Sequence, residues 1–193
     1  MNRDIANAIA GTTLAGADGL WYRHTRVGVK EPTGSTGGGR WGPEHGFPVI
    51  YLGRPEASVA VEAYRRLVDP VEGMTGDLVG PRTLFTLEVE VNNLLDLRAP
   101  DHLAAVGLDI DALGGPWAPC VRVARAAHQL GLHGVLAPAA TDIGLTLALF
   151  EQHLPPEQVP RVVDRTTWST LPADPRSPSQ RSAQIARSSG PTA

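Results

Sequence analysis

Four side chains in the first third of the chain carry complementary chemistry: Arg23 in WYRH, Arg40 in GGRW, Tyr51 in PVIYL and Glu62 in SVAVEAY. A guanidinium presents a planar fork that can grip a phosphate through two parallel hydrogen bonds. Tyr51 closes an apolar strand-like run and Glu62 interrupts the helical run that follows, so both can meet at one end of the same unit. One site could therefore hold a pyrophosphate, an aromatic ring and a carboxylate. Each residue also has an ordinary role open to it. Glu62 can pair with Arg65 or Arg66 at helical spacing. Tyr51 can be a core aromatic with its hydroxyl at the surface, and the two arginines can lie over the neighbouring indoles.

Other common chemistries lack their residues. His128 and His133 are separated by a helix-ending Gly131, with no nearby carboxylate to complete a zinc motif, so no metal site is expected. There is no Gly-x-Ser-x-Gly elbow. The glycine cluster GSTGGG at residues 34–39 lacks the Lys-Ser/Thr ending of a phosphate-binding P-loop. Cys120 is the single cysteine, set in an apolar helical stretch, and reads as a buried small hydrophobe.

The elements that must position these groups follow from periodicity. Residues 48–52 form a short buried strand, Pro55 opens a helix, and residues 56–68 place Val59, Ala60, Ala63 and Leu67 on one helical face. Residues 84–91 alternate as a half-buried strand. A second helix spans residues 119–130 and stops at Gly131, and further strands are expected at 134–137, 145–150 and 159–163. Strands and helices mix without regular alternation, which predicts an α+β fold with a bent, largely antiparallel sheet and flanking helices. Residues 34–39 are expected as a mobile loop. A single domain at residues 1–168 and a disordered Pro, Ser and Arg-rich tail at 169–193 account for the 193 residues. Seventeen basic and twenty acidic side chains give a charge of -3, which carries no electrostatic footprint for nucleic acid or an anionic membrane. The N-terminal residues lack the apolar core of a secretory signal, and the most apolar stretch is broken by Pro138 and Asp142, so a soluble cytoplasmic protein is expected.

The order and context of these residues resemble the RES-domain family, named for its Arg, Glu and Ser. The resemblance runs from WYRH through GGRWGPEHGFPVIYLGRPEASVAVE and LFTLEVEVNNLLDL to HGVLAPAATDIGLTLALFEQ, covering approximately residues 20–163. It implies a fold similar to ADP-ribosyltransferases and a toxin-like enzyme that cleaves the nicotinamide–ribose bond of NAD by phosphorolysis or hydrolysis. NAD is then substrate rather than cofactor, with inorganic phosphate as a possible co-substrate. The implied partner is an Xre-type antitoxin, in a hetero-oligomer or beside a homo-oligomer. Carried over by position, Arg23 and Arg40 would grip the phosphates, Tyr51 would line the nicotinamide side, and Glu62 would engage the nicotinamide ribose. Glu62, Tyr51 and Arg40 form the expected catalytic set. The family's Ser, which follows a Pro, falls on Ala139 in APAAT, and Thr141 is the candidate substitute as a substrate contact. Two other readings fit the same resemblance: transfer of ADP-ribose to a protein, and a catalytically silent module that binds nucleotide or antitoxin.

Overall fold

A computed structural model describes residues 3–188. Seven strands and five α-helices follow in the order α1 (Arg3–Ala10), β1 (Leu14–Arg26), β2 (Ser35–Gly39), β3 (Gly42–Arg54), α2 (Glu56–Leu67), β4 (Arg82–Asp96), α3 (Pro100–Ala105), α4 (Ala118–Gln129), β5 (Gly134–Pro138), β6 (Leu145–Phe150), β7 (Arg161–Trp168) and α5 (Pro178–Ser188). Strand β1 pairs with β3, β3 with β6, β6 with β5, β5 with β4, and β4 with β1, so these five close on themselves. Only β4 and β5 run parallel, and the expected α+β class with a mostly antiparallel sheet is what forms.

Closure follows from side chains that all five strands turn to one side. Trp21, Ile50, Leu52, Phe85, Leu87, Val89, Val91, Leu136, Leu147 and Leu149 make one buried cluster drawn from every member of the ring. The other face of β3, β5 and β6 presents Val49, Val135, Ala137, Ala148 and Phe150, which α1, α3 and α4 cover. Cys120 is fully buried there, as a small hydrophobe would be. Helix α4 is followed by Gly131 at φ 75°, a left-handed position that glycine reaches without strain. A third cluster packs α2, through Val59, Ala60, Ala63 and Tyr64, against Leu84 and Trp168.

The structure corrects three expectations. Residues 34–39 are not a loop: β2 pairs along β3, with Ser35 opposite Val49 and Gly39 opposite Gly42. Backbone pairing needs no side chain, and glycine permits a closeness that composition alone cannot signal. A Cβ on Gly39 would stand 2.6 Å from the Tyr51 hydroxyl oxygen. The last strand begins at Arg161 and runs to Trp168 rather than over 159–163, because it pairs with the first half of β4. The stretch from Ser169 also has structure, ending in α5, although residues 189–193 lie outside the described part. Its anchor is polar. The Arg176 side chain is fully buried, and Nη1 donates to Asp69 at 2.7 Å and to Gln184 at 3.1 Å, while Nη2 donates to Asp174 at 2.8 Å. A count of apolar residues cannot detect an element held by buried ion pairs.

Candidate active site

Arg40 and Trp41 are the two residues that turn β2 into β3. Trp41 is driven into the core beside α4, which fixes the turn and points its backbone N–H at the Tyr51 hydroxyl, 3.0 Å away. Because that oxygen accepts from Trp41, the tyrosine keeps its own proton to donate elsewhere. Burial pushes the Tyr51 phenol well above its ordinary range, so it works as a neutral hydrogen-bond donor and never as a base near neutral pH. Arg40 lies beside the segment before α4, where Nη1 donates to Ala112 O at 3.0 Å and Gly115 O at 3.1 Å. Burial lowers its basicity, with Cys120 and Glu62 opposing, but a guanidinium stays charged at any working pH.

Glu62 comes from the middle of α2. Solvent reaches 58% of its side chain, yet protein surrounds the carboxyl closely enough that desolvation raises its pKa, against the pull of Arg65, Arg40 and Arg66. Access for water tempers the upward shift. Arg65, its neighbour at helical spacing, is 3.8 Å away and makes its shorter bond to Ala140 O at 2.7 Å. Arg23 sits on β1 rather than in a loop. It donates to Thr33 O at 2.9 Å, has burial as the main influence on its pKa, and feels Glu151, Arg66 and Tyr51. Tyr51 is the common member: Arg40, Glu62 and Arg23 all act on its phenol. The tertiary structure therefore gathers all four.

Thr141 does not join them. It is 2% exposed, its hydroxyl lies 3.2 Å from Ser58 Oγ, and it donates to Ile143 O at 3.1 Å. A buried hydroxyl with those partners braces the loop against α2. Ala139 is buried as well, with its N–H on Gly144 O. His24, next to Arg23, accepts from Arg82 through Nδ1 and is pushed down to about 3 by burial and by Arg82, Arg66 and Arg23, which rules it out as an acid or base near neutral pH.

Sequence reasoning missed Ser58 and Gln184 as supports, and offered Arg65 only as a partner for Glu62. Ser58 stands one helical turn before Glu62, which was a readable signal. Gln184, which donates to Thr141 O at 2.6 Å from α5, had none.

Among the described residues no cluster of His, Cys, Asp and Glu could hold a metal, and no helix is long and apolar enough to cross a membrane. The arrangement instead offers cationic forks, a neutral phenol donor and one water-accessible carboxylate. The chain is 37% identical over 123 residues to "NAD(+) phosphorylase MbcT" of Mycobacterium bovis and of Mycobacterium tuberculosis, a stretch spanning 63% of this chain and 66% of those relatives. It superposes on a chain of the crystal structure of the M. tuberculosis MbcT-MbcA toxin-antitoxin complex with a TM-score of 0.76 and 28% identity, covering 96% of this chain and 98% of that one. The RES domain profile matches residues 13–174, from β1 to the ion-pair anchor of α5, and the chain belongs to the RES domain family.

Proposed function

We propose that this protein destroys NAD+ by breaking the bond between nicotinamide and ribose, with phosphate as the attacking group, and that it acts in the cytoplasm as a toxin restrained by a small Xre-type antitoxin. The observation that supports the reading is the proximity of Arg40, Arg23 and Glu62 to Tyr51, on whose phenol all three act. Identity to relatives named as NAD(+) phosphorylases favours phosphate over water. Likeness to a toxin-antitoxin complex supports the partner.

The chemistry asks for little. Nicotinamide leaves a cationic N-glycoside as a neutral molecule, so no general acid is required and one carboxylate suffices. As the C–N bond lengthens, positive charge builds on the ribose, and Glu62 stabilises it by charge and by contact with ribose hydroxyls. Phosphate forms a new C–O bond at the anomeric carbon as the C–N bond breaks, giving nicotinamide and an ADP-ribose 1″-phosphate. Arg40 and Arg23 hold the pyrophosphate, and Arg40 also attracts the incoming anion. Tyr51 donates its hydroxyl proton on the nicotinamide side.

Chromatography of NAD+ incubated with the purified protein tests this directly. Nicotinamide and a phosphorylated ADP-ribose should accumulate with phosphate, and plain ADP-ribose if water attacks. Label from biotinylated NAD+ remaining on protein would mean ADP-ribose transfer. Intact NAD+ under both conditions would remove the enzyme and leave the silent binding module, a reading to which Ala139 at the family's serine position gives specific support.

A further inference from the structure

A groove of about 410 Å³ opens beside Arg40, between the β2–β3 hairpin and α4. One wall is Gly37, Gly38, Gly39 and Gly42, followed by Pro43 and Glu44. The other is Val121 and Arg125 on α4 with Trp117, which caps its start one turn before Val121. Trp117 is 53% exposed, unlike Trp21, Trp41 and Trp168, which are all buried. The glycine wall carries no side chain to fill the space. The groove adjoins Arg40 and Tyr51: Gly39 and Gly42 flank the Arg40 turn, and both lie against the Tyr51 hydroxyl. Arg40 in turn rests on Gly115 O, two residues before Trp117. Glu62 and Tyr51, then Arg40, then the groove therefore follow one another along the surface.

We propose that this groove is the subsite for the adenosine 5′-phosphate end of the substrate, with Trp117 stacking on the adenine ring and Arg125 beside the ribose and phosphate. The proposal rests on the NAD+ reading, because a dinucleotide with nicotinamide at Glu62 and pyrophosphate at Arg40 must send its other nucleoside onward. An exposed indole suits a base, since stacking on an aromatic side chain is favourable for every base. Glu44 supplies an acceptor for an exocyclic amine on the facing wall. The volume falls within the range of about 300–1,000 Å³ usual for small-ligand pockets.

The probe is adenosine 5′-monophosphate, titrated calorimetrically into the full chain, its Trp117→Ala variant and its Arg125→Glu variant. Saturable binding to the native protein, weakened about tenfold or more in each variant, is expected. The KM for NAD+ should rise in parallel with little change in kcat, because the contacts are made equally in ground and transition states. Both side chains are on the surface, so melting temperature should hold. No saturable binding to the native protein, or equal binding by all three, overturns the subsite. Nicotinamide release without AMP binding would remove the groove alone. AMP binding without nicotinamide release would remove the NAD-cleaving reading and leave a nucleotide-binding groove.

Discussion

Replacing Glu62 by Gln keeps the shape of the side chain and most of its hydrogen bonding while deleting its charge, so it asks whether that charge faces a developing cation. At 4 Å, unit charges attract by about 1 kcal/mol in bulk water and about 4 kcal/mol near a protein surface. A cleft reached by water yet bounded by protein lies between, so a loss near 2.7 kcal/mol, about a hundredfold in kcat, is expected. NAD+ affinity should change little, since ground-state ribose carries far less charge. The ion pair given up is an exposed 3.8 Å contact to Arg65, worth about 0.5 kcal/mol at most. Arg65 keeps its bond to Ala140 O, so the melting temperature should fall by no more than about 2 °C. The pH profile supplies a second reading. Desolvation raises the Glu62 carboxyl above its ordinary value, and the ionised form is the active one. Activity in the native protein should therefore fall as pH drops through a pKa above the usual glutamate value of about 4.3, and that limb should vanish in Glu62→Gln. Nicotinamide release by the folded variant within threefold of native would refute the mechanism.

Three further outcomes follow from the same geometry. Arg40→Lys keeps a positive charge but cannot reach Ala112 O and Gly115 O while also presenting a fork to phosphate, so NAD+ affinity should drop about tenfold or more by calorimetry; unchanged affinity would move Arg40 out of the site. Thr141→Val strands the buried Ser58 hydroxyl and should cost about 1–3 kcal/mol of stability in denaturant unfolding, with KM for NAD+ near native; a raised KM at full stability would return Thr141 to the ligand. Arg176→Met removes the shared partner of Asp69 and Asp174 and should destabilise by about 3–5 kcal/mol, lowering the melting temperature by about 6–20 °C; a near-native melting curve would mean that α5 is held by something else.

The sequence by itself determined the elements whose side chains alternate or recur with a fixed period. The alternating residues of β4 and the apolar face of α2 state their own burial, because apolar area must leave water wherever it lies. Local order also determined that Tyr51 and Glu62 belong to one strand–helix unit and that Arg40 adjoins a glycine run. What only the tertiary structure decided was which groups meet across long separations. Arg23 joins the others because β1 pairs with β3 and β4 in a closed ring. The glycine run became a strand because β3 was there to accept its backbone bonds. Thr141 is tied to α2 because Ser58, 83 residues earlier, meets its hydroxyl. The C-terminal helix reaches the same loop through Gln184, anchored by a buried arginine between carboxylates. Hydrogen bonds and ion pairs are directional and need a partner in place, so unlike hydrophobic burial they leave no period in the chain, and the folded backbone alone determines where they form.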